Sequence, residues 1–108
     1  MSNEIQKDSK VKVVADTPEK TKYILRLFVT GILPNSVRAI KNINAICNKY
    51  LKDRYELEII DIYQQPSLAL SEELIAVPVL IKKFPLPEEK MLGDLSDTQE
   101  VLKGLSIV

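Results

Sequence analysis

The strongest constraint on the fold comes from residues 22–29. Tyr23, Leu25, Leu27 and Val29 share one side of an extended chain, while Ile24, Phe28 and the lone charge Arg26 share the other. Both sides are largely apolar, the pattern of a strand covered on both faces inside a sheet. Gly31 and Pro34 break the run, and Asn35 or Ser36 is placed to cap a helix in which Val37, Ile40, Ile43, Cys47, Tyr50 and Leu51 recur at helical spacing. A second strand is predicted over 55–63, with Leu57, Ile59, Ile60 and Ile62 as its apolar residues. A strand, a long helix and a strand with short joins make a right-handed βαβ unit with parallel strands.

The rest of the chain carries weaker signals. Pro66 suits a helix start, and Leu68, Leu70, Leu74 and Ile75 follow with Glu72 and Glu73 on the wet side, which predicts a short helix over 67–75. Residues 77–82 read as a strand with Pro78 at its start, where the ladder hydrogen bond is dispensable. Pro85 and Pro87 force a turn, 90–92 returns as a short antiparallel strand, and Gly93 ends it. Ser96 followed by Gln99 forms a capping box for a last helix whose apolar face is Val101, Leu102 and Leu105, with Asp97 in the first turn. The predicted order is βαβαββα in a single α/β domain over 22–108, since 108 residues support one core and not two. Residues 1–21 mix acids and bases without aromatics and read as a flexible N-terminal arm. Its short apolar cluster, Val11, Val13 and Val14, is of a kind that can add an edge strand, although a solvated tail is the simpler reading.

Charge and reactive groups narrow the function. The 15 basic and 15 acidic residues cancel, so no global field draws the chain to nucleic acid or a membrane. Locally the balance is uneven: Lys22, Arg26, Arg38, Lys41, Lys49, Lys52 and Arg54 precede a stretch, 55–76, that carries Glu56, Glu58, Asp61, Glu72 and Glu73 with no base. The basic part is either a solvated face or a docking surface for an acidic partner. Aromatics are few and fall on strand or core positions, which disfavours stacking on bases. No apolar run approaches a membrane span, and with a lone cysteine and no secretion signal the cytoplasm is expected.

The chain has no histidine, which removes the usual neutral-pH base and the usual transition-metal ligand. Ser36 is better explained as a helix cap than as a nucleophile, and the adjacent pairs Glu72-Glu73 and Glu88-Glu89 do not make facing carboxylates. With three scattered glycines there is no phosphate loop; neither a cofactor nor a metal is expected, Asp94 and Asp97 being simply a turn and a helix start. The element order is the thioredoxin-like plan, and Ala76-Val77-Pro78 matches its proline before the third strand. Thioredoxins place a Cys-x-x-Cys after the first strand, where a helix N-terminus activates the thiol. Here that loop, 31–36, has no cysteine, and Cys47 lies on the apolar stripe of the helix. Dithiol chemistry is excluded by composition.

The residues 21–29 followed by Gly31, Pro34-Asn35-Ser36, 55–61, Pro66, 76–80, Pro85-Leu86-Pro87 and 93–97 together resemble the KaiB family, in register over most of 22–105. The resemblance implies a non-catalytic adaptor that docks on the hexameric ATPase KaiC, in competition with a KaiB-like sensor-kinase domain. It also implies a dimer or tetramer and an alternative ground-state fold of order βαββααβ, with rearrangement of the second half. By the same resemblance Arg26, Arg38, Lys41 and Lys82 match basic positions on or near the partner face. Glu56 and Glu58 stand there where cyanobacterial members have a small residue and a lysine, a change that points to an altered partner. Tyr23, Gly104 and Ser106 fall where the fold balance is sensitive, Ser106 replacing a usual aspartate, and Pro78, Pro85 and Pro87 fall where proline isomers accompany the switch. A circadian role and another signalling or stress role both remain open at this point, as do a thiol-dependent enzyme using Cys47 and a purely structural oligomer.

Overall fold

The computed structural model describes residues 21–31, 33–74 and 76–107. The arm expected over 1–21 lies, but for Thr21, outside the described residues. The elements follow the predicted order: β1 (Tyr23–Val29), α1 (Pro34–Tyr50), β2 (Tyr55–Asp61), α2 (Pro66–Ser71), β3 (Val79–Phe84), β4 (Glu89–Leu92) and α3 (Thr98–Gly104). The alternative order βαββααβ is not the one adopted. The sheet runs β2-β1-β3-β4, with β2 parallel to β1 and the other two pairs antiparallel, so β1 is interior as its two apolar sides require.

Each side of β1 carries its own core. Tyr23, Leu25, Leu27 and Val29, with Leu80 of β3, meet α1 through Ala39, Ile43, Ile46 and Cys47, and meet α3 through Val101 and Leu102. On the other side Phe28, Ile60, Val79 and Ile81 form a smaller cluster under Leu68 of α2 and Leu74. Among the described residues no helix is long and apolar enough to cross a membrane.

The element ends differ from the predicted ones for local reasons. α1 begins at Pro34 after Leu33, without a side-chain cap, because the fixed φ of proline suits the first helical position. Neither Asn35 nor Ser36 caps it: Ser36 is fully buried, and its Oγ accepts a hydrogen bond from the Thr30 N–H at 3.1 Å. β2 stops at Asp61, two residues short of Tyr63. There the Asp61 carboxylate accepts the Tyr63 N–H at 2.9 Å and its carbonyl accepts from Gln64 and Gln65, which turns the chain. α2 covers Pro66–Ser71 and not 67–75, and Glu73 at φ +56° ends it in the left-handed region. β3 starts at Val79 and runs to Phe84, beyond the predicted end at Lys82. The peptide bonds before Pro78, Pro85 and Pro87 are cis. α3 is capped by Asp97, which accepts the Glu100 N–H at 3.2 Å, and not by Ser96. Ser96 is still part of the preceding turn, its own N–H donating to the Asp94 carboxylate at 3.0 Å.

Lys82 overturns a further expectation. It faces the α1 and α3 side, opposite Leu25 in the register, and is fully buried. Its Nζ donates to Ser106 Oγ at 3.3 Å, and Ser106 sits at φ +63° just after α3. A basic residue expected on a partner face instead lies inside the fold, with a hydroxyl as its hydrogen-bond partner.

Two outcomes follow. Ile43→Ala, at a fully buried α1 position, is expected to cost about 2–5 kcal/mol, measured as a lowered urea midpoint with an unchanged slope. Ser106→Asp supplies a carboxylate to the buried Lys82 ammonium and a residue more tolerant of positive φ, and is expected to raise stability by about 1 kcal/mol. A lowered unfolding midpoint in that variant contradicts the pairing.

Candidate functional site

α1 is pressed to the sheet by Ala39, Ile43, Ile46 and Cys47, which leaves Arg38, Lys41 and Lys49 facing outward. At about 3.6 residues per turn these three share one side, and Lys52 continues the line past the helix end. No acidic residue occurs in α1. Arg38 is pinned: its Nε lies 3.2 Å from Asp94 Oδ2, and it also donates to Asn35 Oδ1. Asn42 donates to the Asp94 carbonyl at 2.8 Å, so the loop before α3 is tied to α1. Hydrogen bonds from Ser96, and then from Arg38, hold the Asp94 carboxyl below the usual carboxylate range. Lys41, Lys49 and Lys52 form no ion pair among the described residues; Lys49 lies over the Tyr50 ring at 5.3 Å. The stripe is therefore an exposed basic surface whose first member alone is neutralised. At its N-terminal end Leu33 and Val37 are exposed, and Leu33 lines a groove with Thr30, Val77 and Pro78.

Arg26, Glu56 and Glu58 lie on the opposite side of the sheet, so the expected partner residues do not form one patch. Arg26 faces Glu58 across the β1–β2 register, with Nε 3.5 Å from Oε1, and Lys22 Nζ lies 2.9 Å from Glu56 Oε2. The short α2 leaves this part of the sheet uncovered, a shallow depression lined by Ile24, Arg26, Glu56 and Glu58. Next to it is a cluster the sequence did not reveal. Glu72, expected on the wet side of a longer helix, has a side chain only 12% exposed, with Oε2 2.8 Å from Lys83 Nζ and 3.9 Å from Arg26 Nη1. Lys83 also reaches Glu88 at 3.0 Å, and the Glu72 and then the Glu88 hydrogen bond push its amine above the usual lysine range. Because α2 ends at Ser71, Glu72 turns back onto the sheet and clasps α2 to β1 and β3. A helical wheel drawn through 67–75 hides this.

The positions singled out for fold balance are scattered through the structure. Tyr23 is buried, with the Arg54 guanidinium 5.8 Å from its ring centre. Pro78 is buried ahead of β3, Pro85 and Pro87 lie in the β3–β4 turn, and Ser106 holds Lys82. A Cβ on Gly104 would come within 2.5 Å of the Met91 sulfur, so glycine there lets α3 lie close on β4. Cys47 is fully buried on the inner face of α1, and burial pushes its thiol up to about 12, which opposes formation of the nucleophilic thiolate. No cluster of three metal-ligating side chains occurs among the described residues.

A family model described as the KaiB domain matches residues 26–107. The circadian clock oscillator protein KaiB of Synechococcus elongatus is 44% identical over 92 residues, which are 85% of this chain and 89% of that protein. The circadian clock protein KaiB3 of a Synechocystis species is 43% identical over 90 residues, 83% of this chain and 88% of that protein. Among solved structures, the N-terminal domain of Synechococcus elongatus SasA superposes with a TM-score of 0.65 at 24% identity, covering 80% of this chain and 85% of that one. Mitochondrial thioredoxin 3 of Saccharomyces cerevisiae superposes with a TM-score of 0.66 at 13% identity, covering 83% and 82%. These two establish the thioredoxin-like α/β fold. The family match extends from within β1 past the end of α3, and the relatives align over nearly their whole length, so the chain belongs to the KaiB family.

Proposed function

We propose that this protein is a non-catalytic clock-type adaptor of the cytoplasm that docks on a KaiC-like ATPase or a sensor-kinase module and regulates its signalling. The observation that carries the reading is the α1 stripe: Arg38, Lys41 and Lys49 on one exposed side of a helix without an acid, continued by Lys52 and flanked by exposed Leu33 and Val37. A basic rim beside an apolar patch suits an acidic partner surface, with the charges steering encounter and the apolar groups gaining from burial. Arg26, Glu56 and Glu58 belong to a second contact area on the uncovered sheet face, where mixed charge favours a partner of mixed charge. Lys82 takes no part, being buried.

Chemistry is not needed for this role. The groove at the start of α1 offers the Ser36 hydroxyl, which is engaged with the Thr30 N–H, and no thiol. Fold switching fits the same reading. Of the four non-glycine residues at positive φ among those described, Glu73, Leu95 and Ser106 lie after β2, so local strain is concentrated in the half that would rearrange. In a switch Tyr23, Pro78, Pro85, Pro87, Gly104 and Ser106 would change surroundings, and self-association as a dimer or tetramer would accompany the rearranged state.

The test of docking is Lys41→Glu with Lys49→Glu, chosen because neither residue is in an ion pair among the described residues. Titrated with a purified KaiC-type ATPase, the double variant is expected to bind about tenfold or more weakly, and the loss is expected to shrink as salt is raised. Unchanged affinity with an unchanged circular-dichroism spectrum removes α1 from the docking surface. A thiol-reagent assay separates the adaptor from a thiol enzyme: Cys47 is expected to react only as fast as the protein opens, and fully in denaturant. Rapid reaction in the folded protein at neutral pH contradicts the non-catalytic reading.

A further inference from the structure

We infer that Ser106 is a phosphorylation site, its phosphate pairing with the buried ammonium of Lys82 and fastening the turn after α3 to β3. The inference does not depend on what α1 binds. The Lys82 side chain is wholly removed from water. Its ammonium carries three N–H donors, and among the described residues its hydrogen-bond partner is Ser106 Oγ at 3.3 Å. No carboxylate among the described residues pairs with it: Glu89, opposite Lys82 in the β3–β4 register, is exposed and makes no ion pair to it. The carbonyls that end α3 are engaged elsewhere, those of Val101, Leu102 and Lys103 accepting the N–H groups of Leu105, Ile107 and Ser106. A buried cation with a hydroxyl in place of a counter-ion is costly, and an anion set on that hydroxyl removes the cost.

What singles out Ser106 is that it is exposed while the cation against it is not. A phosphoryl group can therefore be attached from solvent and still add its oxygens at the atom Lys82 already contacts. Lys82 donates in that contact, so the proton of the Ser106 hydroxyl is not used by it. The donor is a nucleoside triphosphate bound to a serine kinase. A bond forms from Oγ to the γ-phosphorus, the bond to the nucleoside diphosphate breaks, and the hydroxyl proton passes to the base of the kinase. The product carries three acceptor oxygens and a charge of about −1.5 to −2 at neutral pH. No other described serine has a cation on its hydroxyl. Ser36 is buried with its Oγ on the Thr30 N–H, Ser71 donates to the Leu68 carbonyl, and Ser96 is bonded to the Asp94 carboxylate, which repels a phosphate. Since α3 reaches the core through Val101 and Leu102, a phosphate bridging Ser106 to Lys82 gives that helix an ionic tie to β3 beside its apolar one.

The test uses the full chain with phosphoserine encoded at position 106, beside the unmodified chain, each with Lys82 and with Lys82→Met. With Lys82 the phosphate is expected to lower the unfolding constant about tenfold in urea titrations, and with Lys82→Met to give no such gain. Equal effects in the two backgrounds, or a raised unfolding constant with Lys82 intact, overturn the inference. Phosphorus NMR supplies a readout that needs no variant: an adjacent ammonium favours the dianion, so the phosphate is expected to titrate at lower pH in the folded chain than in the same chain in urea. No difference between the two overturns the pairing. Inorganic phosphate added to the unmodified chain is expected to leave its unfolding constant unchanged, and a stabilisation equal to that of phosphoserine replaces the modification by a bound ion. Mass spectrometry of the protein recovered from its own cells is expected to find phosphate on Ser106; phosphate on other residues only, or on none, overturns the assignment.

Discussion

Burial of β1 on both faces is the constraint on which the rest of this structure depends. Leu25, Leu27 and Phe28 are almost or wholly removed from water, and they point to opposite sides of one strand. A strand of this kind needs a neighbour along each edge and a layer over each face. β2 and β3 supply the edges, α1 with α3 covers one face, and α2 covers part of the other. Each buried aliphatic side chain contributes about 1.5–3 kcal/mol relative to exposure, so the two small clusters divide the stability unequally. Among the described residues the α1-side cluster holds fourteen buried apolar residues and the α2-side cluster four, which is why α2 relies on a local device, the Glu72 clasp.

That imbalance shapes the charged surface. Where apolar cover is thin, ion pairs converge: Arg26 and Lys83 gather around Glu72 and hold α2 to the sheet, with Glu88 on the far side of Lys83. Where apolar cover is thick, charges are released from structural duty, as with Lys41, Lys49 and Lys52 outside α1. Exposed pairs are worth little to stability, typically below about 1 kcal/mol. Cations on a helix that pair with no acid among the described residues are better suited to meeting a partner than to holding the fold, and this is the physical basis of the docking role proposed for α1.

The place where thioredoxins carry their dithiol is occupied differently in this chain. The loop entering α1 is spent on geometry: Pro34 starts the helix, and Ser36 is turned inward to satisfy the Thr30 N–H. Cys47 sits on the inner face of α1, where desolvation keeps the thiol protonated. Exposed Leu33 lines that groove, and exposed Val37 follows it one helical turn on.

Periodicity made the βαβ half legible, because alternation over 23–29 and helical spacing over 37–51 each admit one way of hiding apolar groups. The element order of the second half was legible too, from its prolines and Gly93, as was the burial of Cys47. Element ends were not, because they depend on which backbone N–H finds which oxygen. Ser36 and Thr30, Asp61 and Tyr63, and Asp94 and Ser96 are brought together by turns that no propensity describes. Nor could a linear reading assign sides: Arg26 with Glu58 and Arg38 with Lys41 parted to opposite faces of the sheet, Glu72 was drawn in, and Lys82 disappeared inside. The sequence by itself determined the strands, the helices and the absence of a dithiol, because these follow from short-range pattern and composition. Tertiary structure alone decided which charges meet water, since that depends on register and on how far each short helix extends over the sheet.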